Sequence, residues 1–286
     1  MERLNFGPVT VDAVSDGVLT CPLAMMLPGA KPAEFRRLGG CEDGETLSLP
    51  MLTFVIRSAG KTILVDTGIG PTLGSLGRVG YGGTVGLLPQ ELARTGIDPA
   101  QVDTVVFTHL HADHIGWNVI DRNGEVVPLF PNAEYVVSTA EWAFWSARHS
   151  RDIARCVRSI EERGQLRAVD DGFEPAPGVR MIATPGHTPG HASILVEGGG
   201  SGCVITGDAA HHPAEFEEPS LQPPYDSDPE LARATRLRLA ERVEAEGLLV
   251  VDGHFPAPHA GTLIRVEGKR RWQWLGAAAW PASLGC

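Results

Sequence analysis

The chain has 286 residues, of which 43% are hydrophobic and 21% are charged, the balance of a globular protein with ample material for a core. Its net charge of -11 argues against nucleic acid or an anionic membrane as a partner, because both need a basic surface to bind. No apolar run approaches the ~20 residues of a membrane-spanning helix, and the opening residues lack the basic and apolar regions of a secretory signal.

The 5 cysteines are scattered along the chain and include no Cys-x-x-Cys pair. Their odd number and spacing indicate free thiols rather than disulfides or a structural zinc site, so we expect a cytoplasmic protein. The 34 glycines and 22 prolines indicate many tight turns and long functional loops instead of a helical bundle.

The N-terminal part combines strands with an irregular apolar stretch. Residues 3–19 place valines among turn residues and predict one or two strands. Residues 20–48 break this pattern with proline and glycine, yet they carry Met25, Met26 and Phe35. These side chains either cover part of the core, or they form a lid over a substrate pocket or a contact between two copies in a homodimer.

A hairpin is predicted over 52–57 and 62–66, and its second strand ends in Asp66 before a glycine turn. Asp66 either caps this turn or accepts the far ring N–H of a metal-bound histidine. Residues 70–88 are rich in glycine and predict a mobile loop, whereas 89–95 predict a short helix that begins with proline.

The second half of the chain alternates strands with helices, which predicts a layered α/β fold. The predicted strands are 133–138, 179–183, 192–197, 203–206, 248–251 and 262–267. The predicted helices are one with Thr139 as its N-cap, one over 152–163, and the longest over 229–246, between Asp228-Pro229 and Gly247. No linker or repeat divides the sequence, so we expect residues 1–286 to form a single domain.

The stretch 105–116 is the richest in chemically active side chains. A short apolar strand runs directly into His109, His111, Asp113 and His114. Burying histidine and aspartate side by side is unfavourable without a divalent metal ion, for which neutral imidazole and carboxylate are natural ligands. The two histidines at spacing two point the same way in an extended segment, whereas the last two residues follow a turn. One loop could therefore supply ligands to two ions.

Three later strands also end beside a metal-binding side chain, so the possible ligands can be divided between two ions. One ion would take three histidines and keep one open position, which is typical of a catalytic zinc site. A second ion would share a bridging carboxylate with the first. The first set is His109, His111 and His187; the second set is Asp113, His114 and His254; the bridge is Asp208.

These residues and their order resemble the five motifs of the metallo-β-lactamase superfamily. The motifs match at Asp66, at the 109–114 cluster, at His187, at Asp208 and at His254. The resemblance spans nearly the whole chain and implies an α/β fold, the four-layer αβ/βα sandwich, with a dinuclear centre at the sheet edges. It implies two divalent ions, zinc first, with iron, manganese and cobalt as alternatives.

Details narrow the resemblance to one group. True zinc β-lactamases lack a carboxylate at the position of Asp208, and glyoxalase II-like enzymes carry a larger helical region after the last histidine than follows His254 here. The chain is most similar to the N-acyl-homoserine lactonases and the methyl parathion hydrolase-like enzymes. His211 stands where the familiar lactonases have a tyrosine, which is closer to the second of these groups.

The resemblance implies a hydrolase that opens lactones or cleaves carboxylic esters, with N-acyl-homoserine-lactone-type substrates first, through attack of a metal-bridging hydroxide. Asp113 would pass a proton to the leaving group, and His211 would hydrogen-bond the reacting oxygens or line the mouth of the pocket. One alternative is an organophosphate triester or arylester hydrolase. Another, of a different class, is an iron-binding redox protein.

We expect a small, uncharged and hydrophobic ester or lactone as substrate, because pockets for acyl or aryl groups are mostly apolar. The apolar side chains near the pocket mouth would be Met25, Met26, Trp117, Trp142, Trp145 and Phe216. Each of them could instead belong to the core or to a dimer contact. Of the other histidines, His191 is expected to be structural, and His149, His212 and His259 to lie at the surface or the pocket rim.

Overall fold

Two mixed β-sheets pack face to face at the centre of the molecule. The structure, a computed structural model, describes residues 3–78 and 80–276. The first sheet contains eight strands and the second contains six. A buried apolar cluster includes Val11 and Phe54 from the first sheet and Ile194 and Val251 from the second. This cluster is the inner core of the fold.

The strands are numbered along the chain. The first ten are β1 (Arg3–Phe6), β2 (Val9–Pro22), β3 (Thr46–Ser58), β4 (Lys61–Val65), β5 (Gly82–Val85), β6 (Thr104–Val106), β7 (Val119–Arg122), β8 (Glu125–Pro128), β9 (Glu134–Ser138) and β10 (Leu166–Val169). β7 and β8 form a separate hairpin, and the other eight form the first sheet in the order β1-β2-β3-β4-β6-β9-β10, with β5 on β2. The second sheet contains, in chain order, β11 (Val179–Ala183), β12 (Ala192–Gly198), β13 (Ser201–Ile205), β14 (Leu249–Val251), β15 (Ala260–Val266) and β16 (Lys269–Trp274).

Helices cover the outer faces of both sheets. They are α1 (Leu23–Met26), α2 (Pro32–Leu38), α3 (Gly74–Arg78), α4 (Leu88–Arg94), α5 (Ala112–Ile115), α6 (Thr139–Ser146), α7 (Arg151–Ile153), α8 (Ser159–Glu161), α9 (Ala214–Glu217) and α10 (Pro229–Glu246), with α7 and α8 joined by helical residues 154–158. Leu92 of α4 packs in a cluster with the first sheet, and Leu239 of α10 packs in a cluster with the second. The four layers confirm the predicted αβ/βα sandwich.

The longest helix has the bounds that its end signals predict. The Asp228 side chain accepts a hydrogen bond from the Leu231 N–H at 3.0 Å, and Gly247 takes a left-handed φ of 64°. Each of these two residues satisfies one of the free backbone groups at its end of the helix. The expected start of α6 differs by one residue, because the Ser138 side chain, not Thr139, caps the helix by accepting from the Glu141 N–H at 3.1 Å.

The prediction of an irregular stretch over 20–48 is wrong for much of its length. β2 continues to Pro22 and pairs with β3 from Thr46 onward, and α1 and α2 lie between these strands. Phe35 and Leu38 are buried in the apolar cluster that also contains Leu239 of α10. This long pairing was hidden because a strand interrupted by proline and glycine has no clear period. The segment does cover the core; a contact between two copies stays a prediction.

The segment 70–88, predicted as a mobile loop, contains α3 and β5. Its two ends are fixed by the buried side chain of Asp16. One carboxylate oxygen of Asp16 accepts from Ile69 N at 2.8 Å and Gly70 N at 3.2 Å, and the other accepts from Leu88 N at 2.8 Å. Fixed ends together with the β5–β2 pairing hold this segment against the first sheet.

Neither sequence expectation on membranes and thiols is contradicted by the described residues. Among their helices, none is both long and apolar enough to cross a lipid bilayer. Cys21, Cys41, Cys156 and Cys203 are free and buried. Cys286 lies outside the described residues.

Backbone contact between two loops fixes the position of α5 on the first sheet. The Gly116 N–H donates to Gly68 O at 2.8 Å, and the Thr67 N–H donates to His114 O at 2.8 Å. A Cβ atom on Gly116 would lie 2.0 Å from the carbonyl carbon of Ile69. Only glycine fits this approach.

We predict that Gly116→Ala destabilises the protein by about 1–3 kcal/mol, the usual cost of forcing extra atoms into a packed site. Urea unfolding of both forms measures this change. Gly276→Ala is the matched control, because a Cβ at that position meets nothing within 4 Å. Equal midpoints for Gly116→Ala and the parent would contradict the close approach.

Candidate metal centre

The structure brings the seven predicted ligands together where β6, β11, β13 and β14 end. His109, His111, His187 and Asp208 each offer a ligand atom within 4.8 Å of the others. The ligand atoms of Asp113, His114 and His254 form a second group with the same spread. The strands deliver these loops to one edge of the sandwich, as the sequence argument requires.

Three imidazole nitrogens converge in the first group. His111 Nδ1 lies 3.0 Å from His109 Nε2 and 2.9 Å from His187 Nε2. Burial lowers the pKa of His109 well below its usual value and that of His111 to about 3, so both rings are neutral. Neutral imidazoles whose lone pairs face a common point are suited to bind a cation.

Asp208 stands between the two groups and turns one carboxylate oxygen to each. Its Oδ2 lies 3.2 Å from His187 Nε2, whereas its Oδ1 lies 3.1 Å from both His114 Nε2 and His254 Nε2. Burial alone would raise the pKa of Asp208, but the surrounding histidines hold it well below its usual range. The group is therefore an anion placed to bridge two cations.

His114 shows that the second group also fits an ion. Its Nε2 is buried and has no hydrogen-bond partner among the described residues. The same atom lies 3.1 Å from Asp208 Oδ1 and 3.9 Å from Asp113 Oδ2. A buried imidazole nitrogen that faces two carboxylate oxygens at these distances belongs to a donor set that suits a divalent cation. The residues present thus fit a pair of divalent ions.

The far ring nitrogens of the histidines are held by oxygen acceptors. His114 Nδ1 lies 2.8 Å from Asp66 Oδ2, His187 Nδ1 lies 3.0 Å from Asp226 Oδ1, and His254 Nδ1 lies 3.0 Å from Pro50 O. Such partners fix the ring orientation and leave Nε2 free for a metal. Sequence reasoning offered this role for Asp66 but missed Asp226, which lies in a proline-rich segment without a strand signal.

The remaining histidines fall outside the two groups. His191 Nδ1 contacts Thr184 Oγ1 at 2.9 Å, and burial lowers its pKa to about 3, which agrees with a structural role. The expectation of surface or rim positions is wrong for His212 and His259. His212 stacks on Phe35 at 4.3 Å, and His259 Nδ1 lies 2.7 Å from Phe255 O, so both are buried.

A cavity of about 280 Å³ opens over the metal groups. His111, Asp113, His187, Asp208, His211 and His254 form its polar floor. Its apolar wall includes Leu19, Met26, Leu49, Leu76, Tyr81, Leu110, Trp145 and Tyr225. His211 Nε2 lies 3.1 Å from Asp208 Oδ2, so this side chain stands at the boundary between floor and substrate space.

Of the six expected pocket residues, Met26 and Trp145 line this cavity and the other four do not. Trp117 donates its indole N–H to Asp16 Oδ1 at 2.8 Å. Trp142 packs against the apolar cluster that contains Leu92 of α4. Phe216 is buried in the apolar cluster that contains Phe35 and Leu239, and Met25 packs against the same cluster. Hydrophobicity alone could not separate these core residues from wall residues.

The cavity wall also contains two tyrosines that sequence reasoning missed. Tyr81 and Tyr225 lie in glycine-rich and proline-rich segments far apart in the chain. Their rings are 6.3 Å apart, and the Tyr81 hydroxyl contacts Met26 Sδ at 3.4 Å. Only the folded chain places them over the site, so no local sequence signal could have identified them.

Glu141 connects the loops that carry the first metal group. Its Oε1 accepts from Leu110 N at 3.0 Å and Trp145 Nε1 at 2.7 Å. Its Oε2 accepts from Thr188 Oγ1 at 2.6 Å and Gly190 N at 3.1 Å. Burial raises the pKa of this carboxyl group, and the four donors oppose that shift. Glu141 thus fixes the distance between the 109–111 segment and the His187 loop.

We predict that Glu141→Gln weakens the binding of a divalent metal ion about tenfold, the lower end of the effects seen when residues that support metal ligands are removed. The amide nitrogen cannot accept the two hydrogen bonds that one carboxylate oxygen now receives. Competition with a chromophoric chelator measures the affinity. Glu134→Gln is the control, since Glu134 is exposed and pairs with Arg167 at 3.4 Å. Unchanged affinity in Glu141→Gln would refute the connecting role.

Comparison with known proteins places this geometry in a family. The model of the metallo-beta-lactamase superfamily matches residues 50–254, a range that contains all seven ligand candidates. An N-acyl homoserine lactonase from Bacillus sp is 32% identical over 224 residues, which cover 74% of this chain and 83% of the relative.

Solved structures give the same result for the fold. A hydrolase named AbOPH, described as belonging to the beta lactamase superfamily, superposes with a TM-score of 0.79 at 25% identity and covers 96% of this chain and 97% of its own. AidC, described as a dizinc quorum-quenching lactonase, gives 0.78 at 20% identity with the same coverage of both chains. Motif order, ligand geometry and fold agree, and the chain belongs to the metallo-beta-lactamase superfamily.

Proposed function

We propose that this protein is a metal-dependent hydrolase that opens lactone rings, with N-acyl-homoserine-lactone-type substrates first. One observation carries the proposal: Asp208 turns an oxygen to each of two ligand groups at the floor of a largely apolar cavity. The Bacillus relative, 32% identical, is an N-acyl homoserine lactonase. We assign zinc as the metal, because the donor set is rich in imidazole and one group leaves room for an open position.

Two bound ions would supply an activated water at neutral pH and positive charge for a carbonyl oxygen. The chain's own residues then bind, orient and move protons. Asp113 lines the cavity and lies within reach of the second metal group, so it can carry a proton to the oxygen released on ring opening. The apolar wall receives the acyl chain and excludes water from the reacting carbonyl.

His211 is the proposed contact for the oxygens of the substrate. Its ring lines the cavity and lies 3.1 Å from Asp208 Oδ2. An imidazole N–H held at this boundary can stabilise charge that develops on the attacked carbonyl. The same residue favours a second candidate function, hydrolysis of organophosphate triesters or aryl esters, where charge develops on phosphoryl or ester oxygens.

Three further expectations belong to this proposal. A cytoplasmic location agrees with the four free and buried cysteines of the described residues. A single domain is supported by the inner core, which joins both sheets. A homodimer is the third expectation, with the outer surface of residues 20–48 as its contact, and light scattering of the purified protein tests it.

We predict that the zinc-loaded protein hydrolyses acyl-homoserine lactones with a kcat/KM at least about tenfold above that for aryl esters and phosphotriesters, because the relative cleaves such lactones. A titration assay of released acid measures all three classes. Removal of metal with a chelator abolishes turnover and zinc restores it. The opposite order of substrates would favour the second candidate, and full activity of a metal-free preparation would refute both.

Asp208→Ala is expected to lower kcat/KM for these lactones by more than about a hundredfold, since the loss of the bridge separates the two ligand groups. Asp121→Ala is the matched control, because Asp121 is exposed and pairs with Arg155 at 2.7 Å. Normal turnover and metal content in Asp208→Ala would remove the basis of the proposal.

His211→Phe is expected to lower kcat about 10- to 100-fold while zinc content is retained, because phenylalanine keeps an aromatic ring at this position but lacks the hydrogen-bond donor. The exposed His149→Phe is the control. Measurement of kcat together with bound zinc distinguishes a role toward substrate from a role in metal binding. A fall in zinc content that accounts for the whole loss would contradict the proposed contact.

A further inference from the structure

One buried and charged side chain belongs neither to the two ligand groups nor to the cavity lining. It lies beside two carboxyl groups that contact residues of the site. Arg236 of α10 is 1% exposed. Its Nε donates to Ala209 O at 2.8 Å, and its Nη1 donates to Leu221 O at 3.2 Å. Two carbonyls from different loops therefore fix the plane of the guanidinium group. A buried cation is costly unless anions compensate it.

The third nitrogen of Arg236 lies between two buried carboxylates. Nη2 is 3.0 Å from Glu215 Oε2 and 3.7 Å from Asp226 Oδ2. Both acids are buried. Burial alone would raise the pKa of Glu215, but Arg236 and His211 lower it to about 2, so this acid is ionised. Without the guanidinium, both buried carboxyl groups would lose the cation that lies beside them.

The other oxygen of each carboxylate holds a histidine of the site. Asp226 Oδ1 lies 3.0 Å from His187 Nδ1. Glu215 Oε1 accepts from the backbone N–H of His211 at 2.6 Å and lies 3.8 Å from the Nδ1 of the same residue. One carboxylate therefore contacts the ring of a proposed metal ligand. The other holds the backbone of the residue proposed to face the substrate and lies at ion-pair distance from its ring.

We propose that Arg236 is a positioning residue whose single charge couples the orientation of His187 to that of His211. The carboxylates are its two arms: Asp226 acts on metal affinity, and Glu215 acts on turnover. The second arm rests on the proposed function, whereas the first depends only on metal binding. The carboxylates keep their geometry because the guanidinium compensates their charge and its two carbonyl contacts prevent it from turning away.

The test compares Asp226→Asn, Glu215→Gln and Arg236→Met with Arg242→Met. Arg242 is the matched control on the same helix, since it is partly exposed and pairs with Glu246 at 3.0 Å. The first readout is zinc affinity of the metal-free proteins by chelator competition. Asp226→Asn and Arg236→Met are expected to weaken it about 10- to 100-fold. Glu215→Gln stays within about threefold of the parent, since its arm does not reach a ligand.

The second readout is kcat for acyl-homoserine lactones at saturating zinc. Glu215→Gln and Arg236→Met are expected to lower kcat about tenfold or more, whereas excess zinc restores Asp226→Asn to near the parent value. A double variant combines Asp226→Asn with Arg236→Met. In it, Arg236→Met is expected to add little to the loss of zinc affinity that Asp226→Asn already causes. This lack of additivity is the signature of one pathway through Asp226.

Several results would overturn the inference. Arg236→Met with lowered thermal stability but parental zinc affinity and kcat would make Arg236 merely structural. Fully additive losses in the double variant would separate Arg236 from Asp226. If Arg236→Met does not fold, Asp226→Asn and Glu215→Gln decide, and equal effects of both on both readouts would refute the two arms. If the parent hydrolyses none of the substrates, the proposed function fails while zinc affinity still tests the Asp226 arm.

Discussion

The site depends on holding nitrogen and oxygen atoms that carry lone pairs very close together. His111 Nδ1 lies 3.0 Å from His109 Nε2 and 2.9 Å from His187 Nε2, and Asp208 adds a carboxylate between this group and the next. Lone pairs at such distances repel unless a cation or a proton lies among them. The fold must therefore supply enough rigidity to hold these atoms in place before any ion binds.

That rigidity comes from buried carboxylates that accept hydrogen bonds from several loops at once. Asp16 joins the two ends of the 70–88 segment, Glu141 joins the loops of the first ligand group, and Asp66 receives the Thr108 N–H at 2.8 Å as well as facing His114. A buried carboxyl group that accepts hydrogen bonds from several loops is difficult to displace. The metal centre is thus surrounded by acids that orient backbone instead of binding ions.

The sequence predicted the parts of this arrangement that follow from local patterns. Apolar strands that run into histidine and aspartate revealed the ligand candidates and the layered fold, and end signals gave the bounds of α10. Glu141, Glu215 and Asp226 were missed because each acts through contacts between segments distant in sequence. The long β2–β3 pairing and β5 were missed because glycine and proline hide the strand period, while backbone hydrogen bonds to a neighbour still form.

The attachment of the 70–88 segment to Asp16 has a consequence for how this scaffold can diversify. A single carboxylate fixes where the segment leaves the sheet and where it returns, and Leu76 and Tyr81 of the cavity wall lie between these points. This part of the cavity lining therefore belongs to a segment whose two ends are both fixed. Substitutions within the segment can reshape the space above the ligand groups while the ligands keep their positions, so substrate selectivity and metal chemistry can evolve separately.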